Sequence, residues 1–518
     1  MSTRTQALQS TLYSSIGIYT EYLLGMVTAI LIARRLGPGH YGIYSALVWF
    51  AAMGIVMANS GVTTGVIKFI AELRGRHDEG QIVPFLDYMR RVQRWHLLLV
   101  LAGGALLLAL LARHALTFEL GIVEGAMLAV AVGLRAPYMF NIAIAKGFEA
   151  FDATAVVAMI AAPTNLALVA LAFALHASLE WFLLIYMLSS VVFYLASGGR
   201  ARRLLRDLPA VQSLDDALLV RVRRHLRIVS PTVIIGFFIG SGVEILFLNQ
   251  LATAAAAGYF KVAYQLANSI ILLVPGVFSA VLLPMMAKAL SQGAQVGGVR
   301  FVAATRYLTL LAAPVVAFCT CFAGPAIGLL FGHAYAAAAP AFALFVMTTA
   351  ISTIAQGASS FLVSADRQHL ILMLMIVFGI MKIALDITLI AAYGFNGAIV
   401  AVLVVTVLNA LAYMAIAMRV AVVSMEWARL LGILLAALTA AAASAPLLLA
   451  GLPHLPTLLA GVVVVAAVYL PMTLLARCWS RDDIAQLQGL HRRILRGRPR
   501  VLGWLLDHAS RHAAAGAP

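Results

Sequence analysis

About fourteen apolar runs long enough to cross a bilayer follow one another along this chain, and that succession leaves it almost no choice of fold. They fall at roughly 11–33, 43–67, 95–112, 121–145, 152–176, 180–199, 228–250, 258–283, 305–331, 338–363, 369–392, 396–420, 427–450 and 456–477. Inside lipid no water satisfies a bare N–H or C=O, so runs of this length are read as helices that bond their own backbone. Hydrophobic residues make up 63% of the 518 and charged residues 11%. Soluble domains hold about 45–50% and about 25%. The expected fold is therefore an all-α polytopic membrane protein. The first run, about 23 residues without a clear small-x-small cleavage site, reads as a retained helix and not a signal peptide.

Charge orients the runs. An even count places both termini on one side. With the N-terminus inside, thirty of the 36 Lys and Arg residues fall in inner segments and three, Arg34, Arg35 and Arg113, in outer loops. Positive charge is retained on the cytoplasmic side, so both termini are expected there. The net charge of +16 thus needs no nucleic acid. Arg200 to Arg203 and Arg221 to Arg227 would lie against anionic lipid heads, and the basic tail with Trp504 reads as an interfacial helix. Asp215-Asp216 and Asp482-Asp483 read as solvated or helix-start carboxylates. Cys319, Cys321 and Cys478 offer neither a disulfide framework nor metal-ligand spacing with histidine. No GxxxxGK[ST] loop is present to cradle a nucleotide phosphate, and no outer loop has room for a catalytic domain.

The chain also repeats itself. Residues Ile228 to Lys288 form an apolar hairpin with a small-residue turn at 251–259, and the first hairpin has the same layout around Leu36 to Tyr44. A shift of 216 lays Gly42-Ile43-Tyr44 on Gly258-Tyr259-Phe260, and a shift of 221 lays Lys146 and Asn165 on Arg367 and Asp386. Duplication is a common transporter plan. The expected division is helices one to six over 1–199, a basic linker over 200–227, helices seven to twelve over 228–420, two more helices over 421–477 and a basic tail over 478–518.

Charges at bilayer depth are costly, about 2.5–3.5 kcal/mol each on insertion scales, and usually face a cavity or a partner. Arg135 lies mid-helix before Pro137, which is expected to kink or break that helix. It is either half of an internal ion pair or a cationic cavity wall. Lys382 and Asp386 stand one turn apart, so they either neutralise each other or form a site. Lys261 is close enough to its helix end to snorkel. Glu21 and Glu244 occupy the first helix of each half, as salt-bridge partners or as protonatable groups coupled to an ion gradient. Pro163, Pro275, Pro314 and Pro446 suit bending helices and are also ordinary in membrane proteins.

Several stretches, taken together, resemble a known family. They are Ala33-Arg-Arg-Leu-Gly-Pro-Gly-His-Tyr-Gly-Ile-Tyr44, Gly258-Tyr-Phe-Lys-Val-Ala-Tyr264, Leu282-Leu-Pro284, Phe331-Gly-His-Ala-Tyr335, Ser364-Ala-Asp-Arg367 and Ala392-Tyr-Gly-Phe-Asn-Gly-Ala398. The ordered set, covering about residues 5 to 420, resembles the Wzx-like polysaccharide and oligosaccharide flippases of the multidrug/oligosaccharidyl-lipid/polysaccharide (MOP) exporter superfamily. The resemblance implies a MATE-like fold of two pseudo-symmetric six-helix lobes plus a C-terminal helix pair. It implies a bacterial inner-membrane protein that is not an enzyme. Its substrate would be a polyprenyl-pyrophosphate-linked oligosaccharide, moved to the outer leaflet for O-antigen, capsule or exopolysaccharide synthesis. A polysaccharide polymerase and a chain-length regulator are its implied partners, and no cofactor is implied. Arg135, Lys261 and Lys382 suit a pyrophosphate by chemistry and depth alone, because the family fixes no cation motif. Where relatives often carry Asp or a neutral polar residue in the seventh helix, this chain has Glu244. The competing readings are an ion-coupled multidrug or metabolite antiporter of the same superfamily, a carrier of a lipid-linked murein precursor, and a membrane polymerase or ligase. The last lacks its outer catalytic loop.

Overall fold

The structure is a computed structural model that describes residues 3–111, 121–206, 208–209, 214–240, 242–271 and 282–479, with a few positions of the tail. Pro275, Asp482-Asp483 and most of the basic tail lie outside the described residues. Among the described residues every regular element is helical. Nine helices among the described residues are long and apolar enough to span, or ten if Asp216–Gly240 and Glu244–Leu251, bent by 53°, count as one. Two of the nine each hold two of the expected runs, so the count of fourteen is compatible with the structure.

Both double helices break at a glycine. The first, α1 (Thr3–Asn59), is non-helical inside only at Gly37, with φ 71 and ψ 172. No side chain tolerates that conformation well, whereas Gly has no Cβ to clash. Pro38 then restarts the helix, where its missing N–H has no partner to lose. The sequence suggested a turn running to Tyr44; the backbone needs one residue of it. The other break is Gly394, φ 57, within Gln368–Ala421.

The chain divides into two compact units, Met1–Lys261 and Val262–Pro518. The first contains α1, α2 (Val62–Gly75), α3 (Ile82–Leu111), α4 (Ile122–Gly147), α5 (Phe151–Ala174), α6 (Leu179–Leu205), α7 (Asp216–Gly240) and α8 (Glu244–Leu251). α9 (Ala254–Ile271) begins in it and runs across the boundary. Helix α1 packs on α5, α4 and α3, and α4 packs on α6 and α2. Helix α4 continues through Pro137 to Gly147 and is not broken there. Neighbouring helices at membrane depth commonly re-satisfy the backbone group that a proline frees. One apolar core holds Val66, Phe69, Ile70, Phe85, Leu86 and Phe140, and a second holds Leu47, Ile55, Leu128, Val132 and Leu183.

The second unit continues through α10 (Leu282–Ser291), α11 (Ala294–Cys321), α12 (Ala323–Phe331), α13 (Ala339–Ser364), α14 (Gln368–Ala421), α15 (Trp427–Ser444) and α16 (His454–Leu475). Helix α13 packs on α14 and α11, and α15 packs on α16 and α11. Helix pairs in lipid gain little from apolar burial itself, so they depend on close packing. Gly461 of α16 lets the Phe322 ring come so near that a β-carbon there would lie 2.6 Å from it. Tyr469 donates from its hydroxyl to the Leu310 carbonyl at 2.9 Å.

The basic ends of α2 and α7 are tied by charge. Glu72 accepts from Arg221 at 2.7 Å and from Arg76 at 2.8 Å. The Arg221 hydrogen bond, helped by nearby positive charge, holds the Glu72 carboxyl below the usual carboxylate range, with burial opposing. A carboxyl lowered on folding stabilises above its unfolded value, about pH 4.3, and that share is lost as pH falls through the folded value. Glu72→Gln should therefore lower thermal stability at neutral pH and flatten its acid limb below about pH 4.3, where the wild type loses the same share. An unaltered acid limb in the variant, measured by melting in detergent, would show the tie to be inert.

Candidate functional site

Arg135 is the most completely built of the expected site residues. Helix α4 carries it half-buried, one residue before the buried Ala136. Its partners come from α6, where Tyr186, Ser189, Ser190 and Phe193 lie three, four and seven residues apart and so share one face. The guanidinium lies 4.7 Å from the Tyr186 ring centre and 4.8 Å from that of Phe193. Its Nε donates to the Ser190 hydroxyl at 3.1 Å, and Nη2 makes a longer contact to Ser189 at 3.4 Å. Both serines give their own protons to the Tyr186 carbonyl, at 2.7 and 2.9 Å. Their lone pairs are thereby aimed at the arginine.

That arrangement holds a charge without cancelling it. Ring faces and neutral hydroxyls stabilise a cation, yet leave its full positive charge for an incoming anion. The ion pair weighed for Arg135 is not formed with any carboxylate among the described residues. Glu21 is exposed on α1 and acts electrostatically on Tyr138, which is also in reach of Arg135. A guanidinium has five N–H donors in a fixed fork, and the two serines take two of them.

A buried polar network sets the height of α4. Gln93 of α3 donates to the Ala136 carbonyl at 2.9 Å and to Asn59 Oδ1 at 2.7 Å, while Asn59 donates to the Ile55 carbonyl at 3.0 Å. Sequence reasoning missed both this network and the α6 face. The spacing of Tyr186, Ser189, Ser190 and Phe193 was its available signal.

The other expected residues are placed separately. In the second unit Lys382 Nζ lies 3.0 Å from Asp386 Oδ2, with the carboxylate fully buried. Lys261 is half-buried on α9, and Glu244 is buried at the start of α8. Among the described residues no group of three or more His, Cys, Asp or Glu is placed to hold a metal.

Within the first unit, α9 meets the turn of α1. The Asn249 amide donates to the Gly42 carbonyl at 3.3 Å. A β-carbon on Gly42 would overlap the Ala254 carbonyl, and one on Gly258 would overlap that of Pro38. The two glycines aligned by the sequence repeat thus meet backbone to backbone, inside helices, where the sequence suggested turns.

A bundle of helices long and apolar enough to span a membrane, with a cation inside it that no carboxylate among the described residues neutralises, suits a membrane transporter. The model for the polysaccharide biosynthesis protein family matches residues 7–290, more than half of the chain, and the chain belongs to that family. Its fold is that of the MOP superfamily. A lipid II flippase MurJ structure in an inward closed conformation aligns with TM-score 0.70 and 12% identity, over 90% of this chain and 98% of that one. An inward-facing multidrug resistance MATE transporter of the MOP superfamily aligns at 0.62 and 13%, over 79% and 99%. An outward-facing one gives 0.52 and 16%, over 80% and 95%. No curated protein matches the sequence.

Proposed function

We propose that the chain flips a polyprenyl-pyrophosphate-linked oligosaccharide from the cytoplasmic to the outer leaflet by alternating access, in a bacterial inner membrane with both termini cytoplasmic. Family membership supports a lipid-linked substrate and a carrier in place of an enzyme. The observation that carries the reading is Arg135: a guanidinium in the middle of an apolar helix of spanning length, fixed by hydroxyls and ring faces with no carboxylate among the described residues to neutralise it. In a low-dielectric site such a group attracts a pyrophosphate strongly and can grip it with two parallel donors. Lys261 and Lys382 are proposed as further cations of the path. Glu21, Glu244 and Asp386 serve as ion pairs or as ion-coupling carboxylates.

Surface polysaccharide tests the reading. In cells lacking the native copy, Arg135→Ala should lower surface polysaccharide per unit of inserted protein by about tenfold or more, as loss of a charged hydrogen-bond partner of about 1.5–3 kcal/mol requires. Arg135→Lys should restore part of it, since charge survives and the planar fork does not. Wild-type polysaccharide in Arg135→Ala would refute the assignment. The exposed Glu21 favours a second reading, an ion-coupled antiporter. On that reading Glu21→Gln would abolish drug efflux and leave polysaccharide unchanged.

A further inference from the structure

The basic end of α6 forms a cavity that the proposed transport path does not use. It lies between the first turns of α3 and the last turn of α6, opens to the surface with a volume of about 520 Å³, and is lined by Arg90, Arg202, Arg203, Arg206, Leu86 and Leu205 among others. A volume between about 300 and 1,000 Å³ is the usual range of a small-ligand site. Four arginines on one cavity are far more than the end of a spanning helix needs.

Their positive charge is only partly occupied. Arg90 reaches Asp87 at 3.2 Å and lies over the Phe140 ring at 5.8 Å. Arg202 gives its Nε to the Gly198 carbonyl at 3.2 Å, which leaves its terminal nitrogens. Arg203 and Arg206 are exposed and make no ion pair among the described residues. Beside these donors the cavity wall is apolar: Leu86 is fully buried and belongs to the core that also holds Ala201.

Depth identifies the occupant. Trp181, 58% exposed, stands near the opposite end of α6, where an indole marks a membrane interface. From Trp181 to Arg202 the helix rises about 31 Å, at 1.5 Å per residue. The hydrocarbon of a bilayer is about 30 Å thick. Arg202, Arg203 and Arg206 therefore stand at headgroup level when Trp181 stands at the other interface.

We propose that this cavity binds the phosphate headgroup of an anionic membrane lipid. The arginines take the phosphate oxygens through paired donors, and the upper acyl chain lies along the half-buried Val83 and Leu205. The site is distinct from Arg135, near the middle of α4, and is independent of what the protein carries.

The test uses the purified full chain in detergent, titrated with phosphatidylglycerol, phosphatidylcholine or inorganic phosphate, with bound lipid counted by native mass spectrometry. Wild-type protein should hold phosphatidylglycerol about tenfold more tightly than phosphatidylcholine, a gap that one or two charge-assisted hydrogen bonds supply. Arg202→Gln/Arg203→Gln/Arg206→Gln should erase that preference. The double variant Arg203→Gln/Arg206→Gln, which leaves Arg202 and its hydrogen bond to Gly198 in place, should reduce it. Lys288→Gln/Arg300→Gln/Arg419→Gln removes three exposed charges elsewhere and should leave it intact. Equal loss in that control would reduce the effect to net charge and overturn the site, as would an unchanged preference in the triple variant. Inorganic phosphate displacing the lipid at equal concentration would overturn the lipid as its source.

Discussion

Gly258→Ala should open the contact between α9 and the turn of α1 and stop polysaccharide export. The added methyl would overlap the Pro38 carbonyl oxygen and lie 2.9 Å from the carbon that bears it. Backbone atoms cannot swing aside as a long side chain can, so the helices must separate. Overpacking of this kind costs about 1–3 kcal/mol, and 1.4 kcal/mol is a tenfold change in an equilibrium. Under the proposed alternating access, this seam has to close and part in every cycle. An alanine biases it open. Ala46, one turn beyond Gly42 and fully buried, is the reporter. In a background without Cys319, Cys321 and Cys478, Ala46→Cys should react about tenfold faster with an impermeant maleimide when Gly258→Ala is added. Gly42→Ala, pressed against the Ala254 carbonyl, should do the same. Unchanged labelling together with normal export would show that the seam is not part of the cycle.

The same glycines show what sequence makes legible. Their alignment by the repeat survives, because duplication preserves register whatever conformation the residues adopt. Their reading as turns does not. Alanine is the best helix former, and the run around Ala254 to Ala257 starts α9 before Gly258 is reached. Glycine serves there for closeness and not for a positive φ; only Gly37 uses that freedom in the first double helix. The apolar runs were readable because lipid leaves the backbone only internal partners. Arg135 was readable as an anomaly of depth. Its surroundings were not, since Ser189 and Ser190 are common residues in spanning helices and their aim depends on how α4 and α6 are set against each other. Lys382 and Asp386 were fully legible as a pair, one helical turn apart.

That pair gives the second large effect. Lys382→Ala removes the ammonium that lies 3.0 Å from the fully buried Asp386 carboxylate. Breaking a buried pair from one side costs about 3–5 kcal/mol, whereas replacing both partners with apolar groups of similar size is often neutral or stabilising. Melting in detergent should therefore fall sharply in Lys382→Ala and in Asp386→Ala. In Lys382→Met/Asp386→Leu it should return close to wild type. Equal melting in all four proteins would mean that the pair does not hold α14 in place. Transport then separates structure from function. If the lysine only neutralises Asp386, the double variant recovers surface polysaccharide along with stability. If Lys382 also meets the anionic head of the substrate, the double variant folds and inserts normally yet stays inactive, because the cation that Lys382 contributes in addition to Arg135 is missing from the path. A stable, inactive double variant keeps Lys382 in the transport path, and a stable, active one leaves Arg135 to carry the proposed recognition without it.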